Sequence, residues 1–175
     1  MDLALRIVKY SVGLMIVLIA AGFLLPEHYR VERGVSIAAP PPRVFALVAE
    51  QRDWRRWSLW HQRDPDMQFN YSGPDAATGA TVTWQSRSEG NGRMQWRAVD
   101  GNRRIDYELT IGDTKPAAGE ITFAPEGDGT RVTWTLQGDV GVYPVFRWLG
   151  LVMGRVIGPD LDVSLNNLKK LAETA

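Results

Sequence analysis

The stretch VSIAAPPPRVFALVAEQRDWRRWSLW, residues Val35–Trp60, joins the end of a predicted strand to predicted helix. Apolar and polar residues alternate over residues 29–38, which is typical of a half-buried strand. The prolines that follow end this strand, and proline is tolerated in the first turn of a helix. The apolar residues then recur at helical spacing, at Val44, Leu47 and Val48. The stretch therefore predicts a strand that leads into helix rather than into a hairpin.

Three of the chain's seven tryptophans, Trp54, Trp57 and Trp60, close this stretch, with Arg55 and Arg56 between them. Their spacing of three places them along one broad side of a second short helix. Tryptophan and arginine together also occur at nucleic-acid surfaces. The chain has 20 basic and 20 acidic residues, however, so no excess of positive charge is available for phosphates. We therefore expect no nucleic-acid binding. We expect Trp54 and Trp57 to be buried, since large aromatic residues usually are. Trp60 is expected at the mouth of a cavity.

Downstream of Pro65, apolar residues alternate with polar ones in six further segments, which predicts an antiparallel sheet with one buried face. Glycine-containing turns at 89–92, 100–102 and 126–129 separate several of these segments, as expected of hairpins. The apolar positions are Met67, Phe69, Tyr71, Val82, Trp84, Met94, Trp96, Ala98, Ile105, Tyr107, Leu109, Ile111, Ile121, Phe123, Val132, Trp134 and Leu136.

The C-terminal segment predicts helix over residues 145–157 and again over 160–173, with a break or kink at Pro159. Gly150, Gly154 and Gly158 follow each other at intervals of four. Three explanations remain open: close packing of a second helix such as the N-terminal one, room for a ligand, or a segment that is not one regular helix. Residues 142–158 contain two charges and also fit a helix resting on a membrane.

Residues 10–25 contain no charge and, with the residues back to Leu3, are long enough to cross a bilayer. We interpret residues 1–26 as an N-terminal membrane anchor, with a cleaved signal peptide as the alternative. Arg6 and Lys9 before the apolar run favour a single-pass protein with a cytoplasmic N-terminus and an extracytoplasmic domain.

The chain resembles the SRPBCC (START/Bet v 1-like) superfamily, and within it the polyketide cyclase/dehydrase-like branch. Four stretches carry the resemblance: Val35–Trp60, YSGPDAATGATVTW from Tyr71, GTRVTWTLQG from Gly129, and GPDLDVSLNNLKKLAE from Gly158. The chain departs from the family at Leu59, where proline is frequent, and at Ser164, where glycine is common.

The resemblance implies one α+β helix-grip domain over residues 29–173. In this fold a curved seven-stranded antiparallel sheet wraps around a long C-terminal helix, with two short helices after the first strand. Here the transmembrane helix would precede it. The cavity between sheet and helix can hold an apolar ligand.

Catalytic chemistry is poorly supported by the sequence. From Val82 onward, Tyr107 is the one inward residue with a hydroxyl, and it is a weak catalytic candidate. His28 lies just after the predicted membrane anchor, and His61 is expected to be a solvated loop residue. No inward carboxylate pair, nucleophile triad or metal-ligand spacing is evident. We therefore lean against an enzyme and expect no cofactor and no metal.

The first functional hypothesis is a membrane-anchored binding module for a lipid or other hydrophobic small molecule. One alternative is a polyketide cyclase/aromatase-like enzyme. Another is a non-catalytic envelope domain, structural or partner-binding, whose core is filled by tryptophans; the sequence identifies no protein partner. The candidate ligand-binding residues are Trp60, Trp84, Trp96, Tyr107, Trp134, Met153 and Ile157.

Overall fold

The computed structural model describes residues 2–174, and the side chains of residues 3–174. Seven strands form one sheet, in the order β1-β7-β6-β5-β4-β3-β2, and all neighbours are antiparallel. The strands are β1 (His28–Ile37), β2 (Gln68–Ser72), β3 (Thr81–Gln85), β4 (Gly92–Asp100), β5 (Arg104–Ile111), β6 (Ala117–Glu126) and β7 (Gly129–Asp139). The helices are α1 (Asp2–Gly22), α2 (Pro41–Ala49), α3 (Trp54–Trp57), α4 (Leu59–Arg63) and α5 (Pro144–Thr174).

The buried face of the sheet is covered by α2, α3 and the second half of α5. Helix α5 contributes the buried residues Leu161, Leu165, Leu168 and Ala172, which recur at helical spacing. Burial of Trp54 and Trp57, each 1% exposed, confirms the expectation that they are core residues. The α+β helix-grip architecture predicted from the sequence is confirmed.

Ala98 was predicted to face inward, and a β-bulge makes that prediction wrong. The pairing of β4 with β5 shifts between Trp96 and Ala98, so that Val99 lies opposite Ile105. Because side-chain direction has a period of two along a strand, one extra residue reverses the faces beyond it. Ala98 is therefore exposed, and Val99 packs against the core.

Helix α5 is continuous from Pro144 to Thr174, so of the predicted break or kink at Pro159 the break is wrong. The glycine pattern also has a different basis. The guanidinium of Arg33 occupies the space that a Cβ at Gly158 would take, and it donates a hydrogen bond to the Gly154 carbonyl at 3.1 Å. The close approach of α1 to α5 involves Gly22 against the Pro144 carbonyl instead.

Helix α1 is long and apolar enough to cross a membrane over Leu3–Gly22. Its side chains are exposed along almost the whole length, as expected of a helix that lipid rather than protein surrounds. Length and composition alone admit both an anchor and a signal sequence.

Candidate functional site

Three indole N–H groups cap the C-terminal end of helix α2. Trp57 Nε1 donates to the Leu47 carbonyl at 3.1 Å, Trp54 Nε1 to Val48 at 2.7 Å, and Trp96 Nε1 to Ala49 at 2.8 Å. The last carbonyls of a helix have no partner within the helix and require one elsewhere. The buried tryptophans supply both apolar bulk and these partners. Trp54, Trp57 and Trp96 therefore stabilise the end of α2, and two of them come from the DWRRWSLW segment.

Trp134 extends the same cluster and binds Tyr107. Its ring lies 5.4 Å from that of Trp54 and 5.9 Å from that of Trp60, both edge to face. Trp134 Nε1 donates to Tyr107 Oη at 2.7 Å. Burial of the phenol raises the pKa of Tyr107 well above its ordinary value. Tyr107 is therefore a neutral hydrogen-bond partner in the core, which weakens its candidacy as an acid or base.

The apolar cavity of the domain has a volume of about 110 Å³. It lies between strands β2–β5 and the segment α3–α4, not beneath α5. Its wall is apolar except for His61, Glu89 and the Tyr107 hydroxyl. The lining residues are Trp54, Trp60, His61, Met67, Phe69, Trp84, Glu89, Met94, Tyr107, Leu109 and Ile111.

His61 is the unusual polar group of this cavity. It lies in α4 with its ring stacked on Phe69, the centroids 4.6 Å apart and the planes 2° apart. Both ring nitrogens are buried, and neither has a hydrogen-bond partner among the described residues. Burial, and then the positive charge of Arg55, lower the pKa of His61 to about 4. The expectation of a solvated loop histidine is therefore wrong.

The predicted ligand-binding residues divide into three groups. Trp60, Trp84 and Tyr107 lie on the cavity wall. Trp96 and Trp134 belong to the tryptophan cluster beside it. Met153 and Ile157 lie on α5 and are partly buried against the core. A role for these residues in ligand binding stays a prediction.

Sequence patterns missed His61, Phe69 and Leu109 as members of one site. No spacing rule brings them together, because they come from a helix and two strands that are not neighbours in the sheet. The alternation of β2 and β5 did place Phe69 and Leu109 on the inward face. His61 has no such pattern, since α4 is too short to define a buried side.

A polar bridge crosses the mouth of the cavity. Asp160 of α5 accepts hydrogen bonds from Trp60 Nε1 at 3.2 Å and from Arg63 Nη2 at 2.6 Å. Arg63 also pairs with Glu89, at 3.7 Å, in the loop between β3 and β4. The bridge holds Trp60 between α5 and the cavity. Within residues 2–174, no cluster of three or more His, Asp or Glu side chains has the arrangement of a metal site.

The curved sheet, the long C-terminal helix and the apolar cavity define a Bet v 1-like domain of the SRPBCC type. The chain belongs to the family described as "Polyketide cyclase / dehydrase and lipid transport", whose sequence pattern matches residues 28–173. No curated protein matches the chain in sequence.

Solved structures share this fold at low sequence identity. A Staphylococcus aureus protein of unknown function, SA2116, superposes with a TM-score of 0.67 at 10% identity, covering 85% of this chain and 95% of its own. An uncharacterized Rhizobium leguminosarum protein gives 0.62 at 19% identity, covering 85% and 97%. The Aha1 dimer from Colwellia psychrerythraea gives 0.59 at 15% identity, covering 83% and 96%. These likenesses establish the fold alone.

Proposed function

We propose that the chain is a membrane-anchored binding module for a hydrophobic small molecule or part of a lipid. The observation that carries the proposal is an apolar cavity that contains an unpartnered, buried imidazole, that of His61. A neutral imidazole offers one N–H donor and one acceptor. A ligand with a hydroxyl or carbonyl group would satisfy His61 while its apolar part fills the space beside Trp60.

The size of the cavity limits what can enter. An apolar protein cavity of about 150 Å³ binds benzene, so 110 Å³ suits a single ring or the end of an acyl chain. Larger ligands would require Trp60 to move, which would break its hydrogen bond to Asp160. We therefore expect a ring or chain end to occupy the cavity and any remainder to lie outside it.

The test uses the full chain in lipid nanodiscs, labelled with 5-fluorotryptophan and titrated with 4-methylphenol, a single ring with one hydroxyl. We expect saturable ¹⁹F shifts of Trp60 and Trp84 and none of Trp148, which lies far from the cavity on α5. Leu109→Phe reduces the cavity and should abolish the shifts. Val163→Phe, at an exposed site on α5, should preserve them. Equal, non-saturating shifts in all three proteins would contradict the proposal.

Retention of α1 as an anchor is the second part of the proposal. Arg147 of α5 donates hydrogen bonds to the carbonyls of Phe23 and Leu25, both at 3.2 Å, and pairs with Glu27. Cleavage after Gly22 would leave these partners of Arg147 in place but would remove the Leu18 carbonyl, which accepts a hydrogen bond from Trp148 Nε1. We expect the mature protein to have the mass of the uncleaved chain. In intact cells, Val163→Cys should react with a membrane-impermeant maleimide, since the domain is proposed to be extracytoplasmic.

The tryptophan cluster supports a second candidate, a structural or partner-binding domain with a filled core. It would bind no ligand in the cavity, and 4-methylphenol would leave Trp60 and Trp84 unshifted. A cyclase-like enzyme has less support, because Tyr107 Oη is engaged by Trp134 and its pKa is raised.

A further inference from the structure

The first half of α5, residues 144–157, carries most of the large apolar side chains that are exposed on the domain itself. Val145, Leu149, Val152 and Val156 recur at intervals of three or four and are 38–61% exposed. They therefore form one continuous stripe along the helix. Arg147 and Arg155 are the only charged residues of this half. Soluble domains seldom leave a stripe of this kind uncovered, and such surfaces usually mark an interaction site.

Helix α1 fixes where this stripe lies relative to a bilayer. Trp148 Nε1 donates a hydrogen bond to the Leu18 carbonyl at 3.1 Å. Leu3–Gly22 extends about 30 Å as a helix, which equals the thickness of a hydrocarbon core. Leu18 is four residues, about 6 Å, from the end of α1. An anchored α1 therefore brings Trp148 to the boundary between head groups and acyl chains, where tryptophan is enriched.

The junction between the helices is tightly packed. The backbone of Gly22 lies so close to the Pro144 carbonyl that a Cβ would collide with it. The Arg147 side chain is 11% exposed. It donates hydrogen bonds to two backbone carbonyls of the segment that follows α1, which have no partner within the helix. The first turn of α5 thus has a defined position at the end of the anchor.

We propose that residues 144–157 are a second membrane-contacting element, lying in the lipid boundary beside α1 with the Val145–Val156 stripe against the acyl chains. The exposed apolar surface of α1 continues into this stripe through Trp148, so one bilayer covers both. Exposed Arg155 supplies a charge for lipid head groups. The domain is then held on the membrane in one orientation. This proposal rests on the anchoring that is part of the proposed function.

The experiment exploits the absence of cysteine from the chain. Single-cysteine variants Leu149→Cys and Val152→Cys of the full chain are spin-labelled in phosphatidylcholine–phosphatidylglycerol vesicles. Collision with oxygen, which concentrates in lipid, is compared with collision with a water-soluble nickel chelate. Leu14→Cys is the control for the anchor, and Val163→Cys is the matched control on the second half of α5.

We expect labels at 149 and 152 to favour oxygen, as the label at 14 does, and the label at 163 to favour nickel. Nickel-accessible labels at 149 and 152, with a lipid-exposed label at 14, would overturn this inference and leave the anchor intact. Labels shielded from both reagents would indicate a second copy or another protein on the stripe, which also overturns it. A nickel-accessible label at 14 would instead contradict the anchoring itself.

Discussion

The backbone N–H of Leu59 donates a hydrogen bond to Ser164 Oγ at 3.0 Å, which joins the start of α4 to the middle of α5. These are the two positions at which the chain departs from the family pattern of proline and glycine. A proline at 59 has no N–H to donate, and a glycine at 164 has no oxygen to accept. The two departures therefore form one interaction, and Ser164 is fully buried.

The first prediction is that Leu59→Pro and Ser164→Gly are coupled. Ser164→Gly strands the Leu59 N–H and adds a helical glycine, and should lower the free energy of unfolding by about 2–3 kcal/mol. Leu59→Pro fits the first position of α4, and the extended backbone of Ser58 is compatible with it. We expect the double variant to be about 1 kcal/mol more stable than the sum of the single effects.

Urea denaturation in detergent measures this coupling, with α1 kept in the micelle. Leu59→Ala retains the N–H and reports the cost of losing the side chain alone. If the losses in free energy of unfolding are strictly additive, the Leu59 N–H and Ser164 Oγ do not form this hydrogen bond in solution.

The second prediction concerns pH. Because the pKa of His61 falls to about 4 in the folded protein, the unfolded chain binds the extra proton first as pH decreases below about 6.5. Stability is complete above that pH and decreases, by about 3 kcal/mol at most, down to pH 4. The Ser86 hydroxyl lowers the pKa of Asp64 below its ordinary value of 3.8. The contribution of Asp64 to stability is therefore lost only as the pH falls below about 3.8, outside the range from pH 6.5 to 4.

His61→Phe keeps the stacking on Phe69 and should flatten the stability profile between pH 6.5 and 4. His28→Gln replaces the other histidine, at an exposed site, and serves as the control. If the wild type and His61→Phe lose stability equally over this range, burial of the imidazole does not govern its protonation.

The third prediction is that the indole N–H groups at the end of α2 stabilise the fold beyond their bulk. Trp96→Phe leaves the Ala49 carbonyl buried without its donor and should cost about 2–4 kcal/mol. Trp60→Phe is the comparison, because its partner, the Asp160 carboxylate, keeps a second donor in Arg63. We expect this second substitution to cost about 1 kcal/mol. Equal losses in urea denaturation would rule out a specific capping effect.

The fourth prediction uses Gly92, which lies opposite Trp84 in the β3–β4 pair. A Cβ at this position would overlap the Trp84 ring, so Gly92→Ala must push the indole toward the cavity. We expect the affinity for 4-methylphenol to fall about tenfold, which corresponds to about 1.4 kcal/mol. Gly101→Ala adds the same methyl group where no described atom lies within 4 Å, and should bind as the wild type does. Undiminished binding in Gly92→Ala would place the ligand elsewhere.

Most of the sheet could be predicted because alternation along a strand reports directly which face is buried. The bulge at Ala98 escaped this reasoning, since an extra residue in a ladder leaves no mark on local composition. The continuity of α5 through Pro159 was also missed. Proline removes one hydrogen bond, but the packing of α5 after Pro159 against the core outweighs that loss.

The candidate site was less predictable. The tryptophans could be assigned to the interior, but their division between capping α2 and lining a cavity depends on distances that only the folded chain defines. His61 was judged from its neighbours in sequence. Its burial results from Trp54 and from Phe69, the latter on the edge strand β2, whose rings lie against it in the folded chain.

The strand order has a consequence for how the chain is made. Strands β2 to β7 follow one another as local hairpins, but β1 pairs with β7, so that His28 meets Asp139 across more than half of the chain. The ribosome adds about 5–20 residues each second. Once β1 has left the ribosome, it therefore has no pairing partner for about 5–20 s. During that interval its unpaired edge is open to aggregation, and a chaperone that shields edge strands would act there.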